Sequence, residues 1–210
     1  MSKNTILVEY FGLPGCGKTT LCSAMHDKND KECSTTSELS REFSHSSFLI
    51  KVLSFPWYIL FPLIRLWFAI PFAGLKHLNR YKIFIIREMF CNFACKYSKL
   101  NKVFIDHGLA QNIIVLIYDM PESFNRKTLK LFSRVLARSK VSEIVYCKVA
   151  PETSLRRIRK RNRQTPGRSD AIKDDTKLLQ NLYMQQKMYD SLAETIKETI
   201  GDRYSVLCND

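Results

Sequence analysis

Thr5-Ile6-Leu7-Val8-Glu9-Tyr10-Phe11, followed by Gly12-Leu13-Pro14-Gly15-Cys16-Gly17-Lys18-Thr19-Thr20, is the stretch that decides the fold. Residues 5–11 form an apolar, β-rich run of the length of a buried strand. Gly12 to Thr19 match G-x-x-x-x-G-K-[ST] in full, between that strand and a helix expected over 18–26. Glycines allow the backbone to turn so that successive N–H groups point inward at phosphate oxygens. A lysine at position 18 supplies a point charge for β- and γ-phosphates, and a threonine at 19 a hydroxyl for Mg²⁺. The start of the helix adds its positive end. Gly12, Pro14, Gly15, Cys16, Gly17, Lys18, Thr19 and Thr20 are therefore expected to hold a nucleoside triphosphate, with ATP and Mg²⁺ as cofactors.

Outward from this loop, strands and helices alternate. Further strands are expected at 102–105, 143–149 and 204–208. Helices are expected at 80–100, 113–118, 122–139, from Pro151 towards Arg161, and over 174–200, where Gly201 is a natural stop. The polar, Ser/Thr-rich residues 29–47 and the Pro-Gly-containing residues 162–170 read as loop or short irregular structure. Such alternation predicts an α/β protein with a parallel sheet and helices on both faces, in one domain over 1–210. With the loop after the first strand, this is the P-loop NTPase fold.

The strand at 102–105 closes on Asp106. Strand ends lie on the ligand side of a parallel sheet. Asp106 is thus placed to face the nucleotide, holding a water on Mg²⁺ with Thr19 or taking a proton from an acceptor hydroxyl. The alternative is an acid that caps the next helix, since Gly108 and Leu109 follow. His107 reads equally as a participant or as a supporting donor.

Net charge is +13, unevenly placed. Between Phe43 and Tyr118 nine Lys/Arg face two acids, and between Lys148 and Arg168 eight face only Glu152. These fields favour anionic partners. Phosphoryl transfer needs positive charge over the equatorial oxygens, and guanidinium groups bind phosphate bidentately without losing a proton. Residues 156–170 thus read as an Arg-rich lid; the competing reading is a solvated basic face or a nucleic-acid patch.

The loop GLPGCGKTT, the run FIDHGLAQ and the run VAPETSLRRIRKRNRQTPGRSD together resemble the thymidylate kinase and deoxynucleoside kinase branch of P-loop kinases. That branch has a strand-end Asp or Glu followed by Arg, then a late strand ending near Pro-Glu, L-x-R-x-x-x-R, and a lid with another Arg. Leu155, Arg157 and Arg161 supply the second pattern, and Arg168 with Asp170 resembles the lid's Arg-x-acid. The resemblance implies that Arg157, Arg161 and Arg168 act in catalysis with Lys18 and Asp106. It places Gln111 and, more loosely, Arg87 on the acceptor side, with His107 where the family has Arg. An ATP-dependent kinase of a nucleoside or nucleoside monophosphate follows; a sugar, glycan or membrane-linked acceptor is the alternative. An ATP-binding regulatory or adaptor protein without acceptor chemistry is a reading of another class. Absence of an N-K-x-D string speaks against a Ras-like GTPase.

Residues 48–79 form an apolar insertion or acceptor-side helical segment. Pro56, Pro62 and Pro71 cut its longest apolar run and Arg65 interrupts it, which argues against a membrane span. It either packs as broken helices on the core or in a homodimer contact, or lies on an anionic membrane through 48–82, where Trp57, Tyr58 and Trp67 have basic flanks. The seven cysteines show no CxxC spacing, and residues 1–10 run straight into the loop without a signal-peptide pattern. The expectation is a cytoplasmic protein, or one peripheral at the membrane, with a small-molecule acceptor and no specific nucleic-acid partner.

Overall fold

The computed structural model describes residues 5–28, 33–55, 75–97, 100–119, 126–161 and 168–209. Five strands, β1 (Ile6–Phe11), β2 (Cys33–Thr35), β3 (Lys102–Ile105), β4 (Glu143–Lys148) and β5 (Tyr204–Cys208), form one sheet in the order β2-β3-β1-β4-β5. Every pairing is parallel, with Ile6 opposite Lys102 and Val8 opposite Glu143 flanking the central strand. β1 is buried from Leu7 to Phe11, as its apolar run predicts.

The helices are α1 (Lys18–Lys28), α2 (Thr36–His45), α3 (Phe48–Leu53), α4 (Leu75–Tyr97), α5 (Leu109–Asp119), α6 (Arg126–Arg138), α7 (Pro151–Lys160), α8 (Arg168–Ala171) and α9 (Asp175–Ile200). The chain leaves β1 towards the β2 edge, then returns across the sheet to β4 and β5. With right-handed crossovers, this reversal puts α1 on one face and the mutually packed α4, α5, α6 and α9 on the other. The reversal at β1 opens a cleft beyond its carboxyl end, where the phosphate loop begins.

Local chemistry accounts for the best-defined ends. Asp174 accepts the N–H groups of Thr176 and Lys177 at the start of α9, and Gly201 closes it at φ 52°. Two elements stand where loop was expected. β2 is a three-residue edge strand paired only to β3, and α2 is held by Phe43, which meets Phe90 and Phe93 edge-on at 4.9 and 5.3 Å. Both depend on distant partners that a polar local sequence does not reveal. Part of the expected loop over 162–170 is likewise the short helix α8.

Of the apolar segment, Phe48–Leu53 forms α3 with no buried residue, capped by the Ser47 hydroxyl and tied to α4 by Lys96 Nζ donating to Leu53 O at 3.3 Å. Ile50 is partly buried against the core, while Phe48, Leu49, Val52 and Leu53 stand exposed. Residues 56–74, with Trp57, Tyr58 and Trp67, lie outside the described residues.

Candidate active site

Tight turning after β1 makes the loop. Gly17 sits at φ 95°, and a Cβ there would come within 2.7 Å of Asn209 Nδ2. Only glycine fits both the left-handed backbone and that approach. Lys18 opens α1 and is almost buried; its Nζ donates to Gly12 O at 2.8 Å, Leu13 O at 3.0 Å and Cys16 Sγ at 3.4 Å. The ammonium is thus held within the loop's curve. Backbone N–H groups of Gly15, Gly17, Thr19 and Thr20 donate to no described residue, which leaves them aligned with the positive end of α1.

The Cys16 thiol is pulled down to about 6, first by a hydrogen bond from Cys147 and then, against burial, by Lys18. The facing Cys16 sulfur and burial push Cys147 the other way. Cys16, within the loop, and Cys147, at the end of β4, are both buried and pack together there.

Asp106 follows β3, and its Oδ2 accepts the Thr19 hydroxyl at 3.0 Å. The first amides of the next helix are held by Glu9, a fully buried acid in the middle of β1, whose Oε1 accepts from Ala110 N at 2.7 Å and Gln111 N at 3.3 Å. Gly108 makes this possible, because a Cβ there would lie 2.3 Å from the Glu9 carboxyl carbon. Burial raises Glu9 to about 7 against the opposing pull of those amides and of Arg87. Glu88 on α4 is raised as well, by burial and then by Glu9. The signal for Glu9 was an acid inside an apolar strand.

A cavity of about 930 Å³ opens over the loop. It brings together Pro14, Gly15, Gly17, Lys18, Thr19 and Thr20 with His107, Gln111, Arg157 and Arg161. Asp106 is not on the cavity wall but touches Thr19, which is. Gln111 also links two elements, since its Oε1 accepts from Gly12 N at 3.2 Å and its Nε2 donates to the Tyr189 hydroxyl of α9. Arg157, on α7, has its Nη1 buried without a hydrogen-bond partner among the described residues. Arg161 pairs with Asp170, Nε to Oδ1 at 3.0 Å. Arg168 opens α8, and its side chain, like residues 162–167 of the lid, lies outside what is described. Arg87 stands over the Phe90 ring at 5.8 Å and does not line this cavity.

Several contributors escape sequence reasoning. Asn209 donates Nδ2 to Cys16 O at 2.7 Å, and Ser154 donates its hydroxyl to Pro14 O, so the end of β5 and α7 brace the loop. α9 adds Leu178, Asn181, Gln185 and Tyr189 to the wall. No motif marks these positions; only the fold brings them in.

Thr19 and Asp106 together offer a hydroxyl and a carboxylate, the hard oxygen donors that Mg²⁺ takes alongside phosphate oxygens and waters, so the donor set fits that ion.

No protein-family model matches the chain, and no curated protein does. Similar solved structures include deoxyadenosine kinase from M. mycoides with the products dCMP and a flexible dCDP bound, at 13% identity and TM-score 0.49 over 96% of this chain and 90% of that one. The same kinase with dATP bound gives 16% and 0.49, covering 97% and 91%. Shikimate kinase from Bacteroides thetaiotaomicron gives 15% and 0.47, covering 97% and 86%. The strand order and the loop after β1 place the chain among α/β proteins of the P-loop NTPase fold.

Proposed function

We propose that the chain is an ATP-dependent kinase that transfers the γ-phosphate to a small acceptor, foremost a nucleoside or nucleoside monophosphate. The observation that carries this reading is the buried, unpartnered Nη1 of Arg157 on the wall that also holds Lys18 and the loop. An unsatisfied buried guanidinium donor is costly unless an anion meets it. With the open amides beneath and Arg161 beside it, the cavity suits a polyphosphate.

Each residue then has a role. Loop amides and Lys18 bind the β- and γ-phosphates; Thr19 and Asp106 would hold Mg²⁺, which supplies neutralisation of phosphate charge. The acceptor oxygen bonds to the γ-phosphorus, the bond from that phosphorus to the β-bridging oxygen breaks with ADP as the leaving group, and the acceptor's proton passes through a water to the Asp106 carboxylate, which stands behind Thr19. Arg157 and Arg161 screen the oxygens of the transferring group, Arg161 after leaving Asp170. Arg168 belongs to the same lid, as the family resemblance implies.

Labelled ATP incubated with nucleosides, nucleoside monophosphates and sugars tests the reading. Acceptor-dependent product and ADP support it. Product on a sugar or glycan alone would favour the other acceptor class, and binding without any product would favour an ATP-binding adaptor. Asp106→Asn should lower the transfer rate far more than ATP affinity; equal loss in both would remove Asp106 from the chemistry.

A peripheral contact with an anionic membrane is a second reading, favoured by α3. Phe48 and Leu49 are 82% and 65% exposed there, with Lys51 on the same helix and the exposed Lys82 and Lys96 on α4. Exposed apolar side chains among lysines suit an acidic bilayer surface. Among the described residues no helix is long and apolar enough to cross a membrane.

A further inference from the structure

Beyond the phosphate cradle, the same cavity has a second wall with different chemistry. Ile114, Val115 and Tyr118 of α5 and Asn181 and Gln185 of α9 line it. Asn181 and Gln185 are four residues apart, so they project from one face of α9 on successive turns. Both are partly buried, yet neither amide, nor the Tyr118 hydroxyl, makes a hydrogen bond to any described residue. Elsewhere on these helices polar groups are engaged: Gln111 with Gly12 and Tyr189, Gln186 with Tyr146 and Asp190, Asn112 with Gly108. The unused groups all line the cavity.

We propose that Asn181 and Gln185, with Tyr118, bind the hydrogen-bonding edge of a nucleobase while Ile114 and Val115 meet its apolar face. A carboxamide carries a donor and an acceptor in one plane, which matches a base edge where both alternate. Hydrocarbon beside a few convergent polar groups is the general composition of a site for a flat heterocycle. The Gln111–Tyr189 bond ties α5 to α9, and Gln111 also grips Gly12, so this wall is set at a fixed offset from the phosphate loop. The inference rests on the kinase reading and deepens it. The base is that of the acceptor, which makes the acceptor a nucleoside or its monophosphate; the base of the phosphate donor has the same chemistry and is separated by experiment.

Calorimetric titrations of the full chain with adenosine, guanosine, cytidine and thymidine, with MgATP, and with magnesium tripolyphosphate provide the test. The proteins are wild type, Asn181→Leu, Gln185→Leu and the near-isosteric Gln185→Glu. Each Leu variant should weaken the best-bound nucleoside roughly three- to ten-fold, with MgATP and tripolyphosphate unchanged, and Gln185→Glu should alter the ranking of the four bases. Weaker MgATP with unchanged tripolyphosphate would support a base site but assign it to the donor. Unchanged affinity for both nucleosides and MgATP would overturn the proposal, as would wild type that binds no nucleoside and variants that hold MgATP normally. Equal weakening of tripolyphosphate in Gln185→Glu would also overturn it, since that ligand has no base. Transfer to a sugar by such a protein would leave the kinase reading standing while this inference fell.

Discussion

Two side chains near the loop differ in what they lack. Lys18 is saturated by its own loop, with three acceptors within 3.4 Å, while Arg157 keeps a buried Nη1 without a partner. The lysine is therefore positioned before ligand arrives, and the arginine is the group that gains most from an anion. Charge-assisted contacts of this kind contribute about 1.5–3 kcal/mol. Arg157→Ala is expected to weaken MgATP roughly ten- to a hundred-fold, or to lower the transfer rate by that factor, while raising thermal stability or leaving it unchanged. A clear fall in stability with unchanged ATP affinity and turnover would make Arg157 a structural residue. That Lys18, Thr19 and Asp106 come together was legible in the sequence, from the loop pattern and from the acid at a strand end. Asn209 was not, since its contact with Cys16 joins residues 193 positions apart.

At the scale of elements, the link between β1 and α5 is an acid. Glu9 takes two amides of α5, and Gly108 makes room for it. Its folded value, about 7, lies above its ordinary 4.5, so its stabilising contribution is fully present below that ordinary value and is lost as pH rises to and through 7. The full effect is about 3 kcal/mol. Glu9→Gln keeps the shape and removes the titration. Denaturant unfolding of both proteins from pH 5 to 8 should show wild type losing stability relative to the variant as pH rises to 7, with the difference levelling off above it. Parallel curves would mean that the Glu9 carboxyl is better solvated or paired than its surroundings indicate. The difference also carries the effect of Glu9 on Glu88, which burial and then Glu9 raise. Among elements, the long helix over 174–200 and the strand before the loop could be read directly, because each carries its own caps or period. β2 and α2 could not, because their stability comes from β3 and from Phe90 and Phe93.

For the whole molecule, a parallel sheet with helices on both faces follows from alternating strands and helices, which the sequence displays through its period and its glycines, whereas the strand order does not, since it includes β2. Which residues converge on the cavity from α9 and the C-terminal end does not follow, because convergence is a property of topology. Basic charge and the exposed α3 belong to this scale too. At low salt, the wild-type protein should float with vesicles of phosphatidylserine and not with neutral phosphatidylcholine. Replacing Phe48 and Leu49 by Ser should reduce flotation several-fold, because both side chains stand in solvent. Protein that stays at the bottom in every case, and sediments as a dimer that the double variant dissociates, would turn this face into a contact between copies. The account as a whole stands on triphosphate held by the turn between β1 and α1. Equilibrium titration with MgATP, comparing wild type with Lys18→Ala at matched folding, tests that claim most directly. Saturable binding by wild type and its loss in Lys18→Ala are the predicted result; equal binding by the two proteins, or none by wild type, would contradict it.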